Sequence, residues 1–335
     1  MSTTAGVFSE TTLQAVRSLI SQIRLDDRVS KQFQARVDSI NVMPKIQTAN
    51  LTLLSNKEKD YEVEAELMNS CGIDDQACTS CTVGGTELST NTEKYKLDLC
   101  REVPFTVNRK NFIDNDFGYE EAIAKGLLQA DVKLSEYICQ QLIAVILGNA
   151  GTNQFNLAGE IGTVVGNTTQ IATANFNVNA IPYLLKVMNY NRFTNPTLLS
   201  GNLLFDAWQT AQFNAGNDNG KGNQAMFNSL DMNWDIYNFT ALGLNAMMFA
   251  MSQGSLAWAN KTYHGPAVED FGKEGKRWSI PSQFIPGFNF DVHYNTGCDT
   301  DFIKEDFKVK TKFGIFVNPE GCEAGNNGIL SFTRV

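Results

Sequence analysis

The strongest concentration of reactive chemistry in the chain is cysteine. Of 7 cysteines, Cys71, Cys78, Cys81 and Cys100 crowd one polar stretch. Cys78-Thr79-Ser80-Cys81 has the spacing of the first half of a zinc knuckle, which brings two thiolates onto one tetrahedral ion. Cys71 and Cys100 would have to complete the set, and they do not form a second Cys-x-x-Cys. Three states stay open for these four: a structural zinc site, disulfides, or independent thiols kept reduced in a cytosol. Cys139 falls one step off an apolar stripe and is expected in the core. Cys298 and Cys322 are expected in loops flanking the last strands, where they could approach each other.

Carboxylates are the second candidate. Glu62, Glu64 and Glu66 alternate with apolar residues, so a strand would carry them on one face. Such a row invites a metal or catalytic reading. A solvated or partner-facing strand face is the stronger expectation, its glutamates set against the lysines of a neighbouring subunit. Lys308, Lys310 and Lys312, with the pair Arg109–Lys110, are candidates for that partner row. Exposed ion pairs contribute little energy but fix register. The expected subunit-interface set is therefore Glu62, Glu64, Glu66, Lys94, Lys96, Arg109 and Lys110. Asp299, Asp301, Glu305 and Asp306 lack calcium-loop spacing and read as a surface loop.

Catalysis finds no foothold. The 2 histidines, His264 and His293, have no motif around them, and His264 before Gly265-Pro266 reads as a turn residue. No phosphate-binding glycine loop and no Gly-x-Ser-x-Gly occurs. No catalytic or cofactor-binding residue is assigned, and an enzyme is not expected. Trp208, Trp234, Trp258 and Trp278 read as core or interface anchors. The 335 residues carry a formal charge of −9, unfavourable for binding nucleic acid through an overall field. Hydrophobic residues make up 43%, enough for a substantial core. No apolar run reaches bilayer length, and Ser9–Arg24, with Arg17 and Arg24 inside it, reads as an amphipathic helix rather than a signal peptide.

The elements that must position these residues follow from periodicity. Phe117–Leu147 predicts one long helix, with Ile123, Leu127, Ala130, Leu134, Ile138, Leu142 and Val145 as its stripe. Asp116 is a fair cap, Glu120–Glu121 sit in the first turn, and Gly148 ends the helix. This is a beam, and it carries no buried acid pair or histidine in its stripe. Before it, Tyr61–Leu67 and Tyr95–Val107 alternate as the strands of a ribbon around the excursion Ser70–Asn91. After it come a helix at Ala180–Tyr190, a buried strand at Pro196–Ser200, and a helix at Leu203–Phe213 capped by Asn202. Asn214–Asn223 reads as a glycine loop, and Trp234–Phe239 and Ala246–Met251 as strands. The tail returns to period two at Phe307–Val317 and Ile329–Val335, expected to pair with strands flanking the long helix.

This order resembles the major capsid proteins of tailed bacteriophages, the Hong Kong 97-like fold shared with the floor of herpesvirus capsids. The resemblance rests on Phe117–Leu147 as a spine, Pro196–Phe213 as strand then helix, Asn245–Ala250 followed by Gly254–Ala257, and Lys310–Pro319 with Ile329–Phe332 as a final hairpin. It implies an α+β chain in four parts. These are an N-terminal arm (1–45), an extended β loop (46–106), a peripheral domain (107–175 and 265–335) and an axial domain (176–264). It implies self-assembly through pentamers and hexamers into an icosahedral shell around DNA. Scaffold, portal and decoration proteins would be partners, and assembly would take place in the host cytoplasm. Here the chain starts with the arm, so a scaffold is expected to be separate or absent. Two rivals remain, a non-viral compartment shell of the same fold and a tail-associated or extracellular binding protein.

Overall fold

The computed structural model describes residues 8–25, 33–46, 62–69, 89–112, 118–213, 218–299, 302–317 and 327–335. The architecture is α+β, with two six-stranded sheets and a two-stranded ribbon. In chain order the first elements are α1 (Glu10–Leu25), the short α2 (Met43–Ile46), β1 (Glu62–Asn69), β2 (Ser89–Lys96) and β3 (Leu99–Asn108). The long helix α3 (Tyr119–Gly148) follows, then β4 (Gly162–Val165), β5 (Thr168–Ile171), α4 (Ala180–Tyr190) and β6 (Thr197–Ser200). Next come α5 (Phe205–Phe213), α6 (Asp218–Asn228), β7 (Asp231–Trp234), α7 (Ile236–Ala241) and β8 (Met247–Met251). The last are β9 (Leu256–Asn260), β10 (Glu269–Asp270), β11 (Lys276–Pro281), β12 (Asn289–Asp299), β13 (Phe302–Val317) and β14 (Ile329–Arg334).

The chain divides into two compact units, and the divisions fall inside α3 and inside β13. The first unit comprises Met1–Val37, Leu97–Ile138 and Asn260–Gly314. Its sheet runs β10-β11-β12-β13-β3, all antiparallel. Alternation along β13 buries Glu305, Phe307, Val309, Thr311 and Phe313. The intervening lysines take the other face. An aromatic box fills the core: Phe8 stacks on Trp278 at 4.7 Å, and Phe307 stacks on Phe105 at 4.9 Å. Gly126, a helix weakness in the sequence, has a packing reason. A Cβ there would lie 2.5 Å from the Phe105 ring.

The second unit comprises Asp38–Lys96, Cys139–Ala259 and Ile315–Val335. Its sheet runs β4-β5-β14-β8-β6-β7 and is apolar on both faces. Leu198, Met248, Ala250 and Phe332 pack toward α4. Leu199, Phe249, Met251 and Ile329 pack toward Leu142, Ile143 and Ile146 of α3. Double burial explains why Met247–Met251 reads as an unbroken apolar run.

Several expectations need correction. The Trp234–Phe239 stretch is not a strand, because Asp235 caps a helix there by accepting from the Asn238 N–H. Within Asn214–Asn223, α6 begins at Asp218, and its Phe227 is buried. Helix α5 starts at Phe205, after Leu204 in a left-handed conformation (φ 63°), and the Asn202 carbonyl accepts from the Phe205 N–H. Cys298 belongs to β12 rather than a loop. Glu305 and Asp306 lie in β13, not in a surface loop.

Candidate functional site

The ribbon is the first candidate. Antiparallel pairing places Glu62 opposite Lys96, Glu64 opposite Lys94 and Glu66 opposite Thr92. The glutamate row thus has a lysine row across its own ribbon, at the same two-residue spacing. Within the chain, Lys308, Lys310 and Lys312 of β13 stand opposite Pro104, Glu102 and Cys100 of β3. Lys308 also reaches Glu102 at 3.4 Å.

Arg109 opens a single 3-10 turn, Arg109–Phe112, in which Lys110 is exposed. Its guanidinium bonds Glu305 of β13, Nη2 to Oε1 at 3.2 Å, and lies 4.6 Å from the centre of the Tyr119 ring. Glu305 is fully buried. The Tyr119 and Tyr294 hydroxyls also donate to it, Tyr294 at 2.6 Å. Burial, then the hydrogen bond and charge of Glu305, push both phenols well above their ordinary range. They therefore remain donors at any physiological pH. The cluster joins the first turn of α3 to β12 and β13.

Asp235 is the counterpart in the second unit and is also fully buried. It accepts from the Ser39 N–H at 3.0 Å and the Ser39 hydroxyl at 2.6 Å. The Asn238 N–H and side-chain amide and the Cys139 thiol, at 3.3 Å, complete its shell. Burial and the Asp235 charge raise the Cys139 pKa, so this thiol is a core group rather than a nucleophile. Asp131, a third buried carboxylate, accepts from Ser135, Ser282 and the Gln283 N–H within the first unit.

Of the four cysteines weighed as zinc ligands, Cys71, Cys78 and Cys81 lie outside the described residues. Cys100 is exposed on β3 with a free thiol. Among the described residues no group of three or more histidine, cysteine or acidic side chains could hold a metal. No described helix is long and apolar enough to cross a membrane.

The two histidines, isolated in sequence, meet in space: their rings stand 5.8 Å apart, edge to face. The register of β11, β12 and β13 creates that meeting, and no spacing in the sequence announces it.

No protein-family model matches the chain, and no curated protein does. Among solved structures it is similar to a chain of Mycobacterium phage Adephagia, at 12% identity and TM-score 0.48, over 90% of this chain and 91% of that one. It is similar to the asymmetric unit of the bacteriophage PhiM1 mature capsid, at 11% identity and TM-score 0.45, over 87% and 86%. It is also similar to the capsid structure of the cyanophage P-SCSP1u, at 6% identity and TM-score 0.45, over 87% and 86%.

Proposed function

We propose that this chain is a structural shell protein, the major capsid protein of a tailed bacteriophage, which assembles with copies of itself around DNA. The observation that carries the reading is the ribbon. Strands β1 and β2, each 8 residues long, form a sheet of their own. An isolated two-stranded ribbon is marginal in water and gains stability by lying on another surface. A neighbouring copy supplies that surface in a shell. Exposed apolar side chains on the second unit, among them Phe213 at 84%, Leu157 and Tyr190 at 58% and Val165 at 51%, fit the same reading. In it, α3 is the spine, residues 107–175 with 265–335 the peripheral domain, 176–264 the axial domain, 46–106 the extended loop and 1–45 the arm.

Pentamers and hexamers would be the capsomers, with scaffold, portal and decoration proteins as partners, in a virion assembled in the host cytoplasm. A charge of −9 suits a container that encloses DNA without gripping it. Electron microscopy of the purified chain, alone or with its scaffold, is the test, and rings, shells or tubes are expected. A compact monomer that persists at high concentration overturns the reading.

A further inference from the structure

Residues 263–268, between β9 and β10, are held by three carboxylates. Asp291 accepts from the Tyr263 N–H at 3.1 Å and the His264 N–H at 3.2 Å. Glu269 accepts from the Gly265 N–H at 3.3 Å, and Glu10 of α1 accepts from the Val268 N–H at 3.0 Å. His264 Nδ1 lies 3.0 Å from Glu269 and, facing a carboxylate, must be the donor. The same loop receives a second bond from α1, since Arg17 Nη2 donates to the Pro266 carbonyl at 2.6 Å. Just before α1, Phe8 is buried on Trp278, and Lys276 Nζ donates to its carbonyl at 2.7 Å. The loop is therefore the polar half of the seat of α1, and the aromatic box is the apolar half.

His293 stands beside this loop, its ring 5.8 Å from that of His264. His293 of β12 faces Arg277 across to β11 and Lys308 across to β13. Lys310 of β13 and His264 of the loop act on it as well. The nearby negative groups are Asp291 on its own strand, Glu269 of β10, Glu102 holding Lys308 and Glu274 holding Arg277.

We propose that residues 263–268 form an acid-sensitive catch for the N-terminal helix α1, closed while His293 is neutral and Glu10 and Glu269 are charged. A proton on His293 adds a positive charge beside Arg277, Lys308 and Lys310. Protons on Glu10 and Glu269 weaken the acceptors that hold Val268 and Gly265.

The pH window follows from the shifts. Burial, then Arg277 and Lys308, lowers the His293 pKa from 6.5 to about 4. Its share of the stability is complete above 6.5 and lost as pH falls from there to 4. The Val268 N–H lowers the Glu10 pKa, and His264 lowers that of Glu269, so their shares go as pH falls below the ordinary value of 4.5. Asp291 acts in the opposite sense, because burial raises its pKa and protonation relieves that cost. The net direction is release between pH 6.5 and 4.

Hydrogen exchange of the full chain, corrected for intrinsic rates, tests this from pH 7 to 4. Protection of α1 should fall by about tenfold or more relative to α4, and the His293 ring should stay neutral in NMR titration down to about pH 4. The variant H293Q should flatten that slope. E10Q, which leaves both histidines in place, should lower α1 protection already at pH 7. Parallel loss in α1 and α4, an undiminished slope in H293Q, or unchanged α1 protection in E10Q would each overturn the proposal.

Discussion

Glu305 and Asp235 are both fully buried carboxylates, one in each unit, and they are neutralised in different ways. Glu305 has a counter-ion: the Arg109 guanidinium at 3.2 Å, whose side chain is 33% exposed, with two phenols completing the shell. Asp235 is held by backbone N–H groups, a hydroxyl, an amide and a thiol, all of them neutral. The difference decides what each centre feels. A charge balanced through a partly exposed arginine is open to salt and solvent. A charge balanced by fixed short-range donors responds only to removal of those donors.

The largest effect should come from D235A. It strands the donors of Ser39, Asn238 and Cys139 in a dry interior and should cost about 3–5 kcal/mol in the second unit. Calorimetry with hydrogen exchange resolved by unit measures this, and an equal loss in both units would break the contrast. R109A should cost less, about 1–3 kcal/mol in the first unit, because partial exposure screens the pair. Raising salt from 0.1 to 1 M should weaken the first unit more than the second. High pH sharpens the same difference. Tyr119 and Tyr294 have raised pKa values, so the stability they lend is complete below pH 10 and lost as pH rises beyond it.

Neither centre was legible in the sequence as a centre. Glu305 reads in the sequence as part of an acidic surface loop, with Asp299, Asp301 and Asp306. Its phase with Phe307, Val309 and Phe313 carried the signal, since a strand buries every second residue. Asp235 was hidden because Trp234–Phe239 is rich in aromatic and β-branched residues that favour a strand, and a single cap turned the segment into α7. The long helix was legible almost to its ends, Phe117–Leu147 against the observed Tyr119–Gly148, because a stripe sustained over 30 residues leaves no other period. Strands β10 to β12 were not read at all. The meeting of the histidines depends on their register, and register is a property of pairs of strands, which a single pass along the chain does not see.

Thiol reactivity gives a smaller effect of the same kind. Cys139 lies against Asp235 with its pKa raised, whereas Cys100 and Cys298 are exposed. In the native chain a maleimide should modify Cys100 and Cys298 long before Cys139, and C139S should cost about 1 kcal/mol. Peptide mapping of the modified chain distinguishes them. Fast labelling of Cys139 would mean that the Asp235 shell opens readily, contrary to the dry packing assigned to it.

The smallest energies lie in the ribbon, where Glu62 and Glu64 stand in register with Lys96 and Lys94 across an open strand pair. Each directly opposed pair contributes about 0.2–1 kcal/mol, so no single reversal should unfold the chain. The informative experiment is an exchange. E62K/E64K sets lysines opposite Lys96 and Lys94, and K94E/K96E sets glutamates opposite Glu62 and Glu64, so either variant should loosen the ribbon. Combining all four substitutions restores opposite charges in register while inverting what the ribbon presents to a neighbour. If the glutamates serve the ribbon itself, the fourfold variant should recover the assembly and thermal stability of the parent. If they serve lysines on another copy, the fourfold variant should assemble no better than E62K/E64K, because the neighbour's lysines would then meet like charge. Sedimentation of assembled against free protein reads the two outcomes apart, and it separates a ribbon that organises its own strands from one that recognises its neighbour by charge.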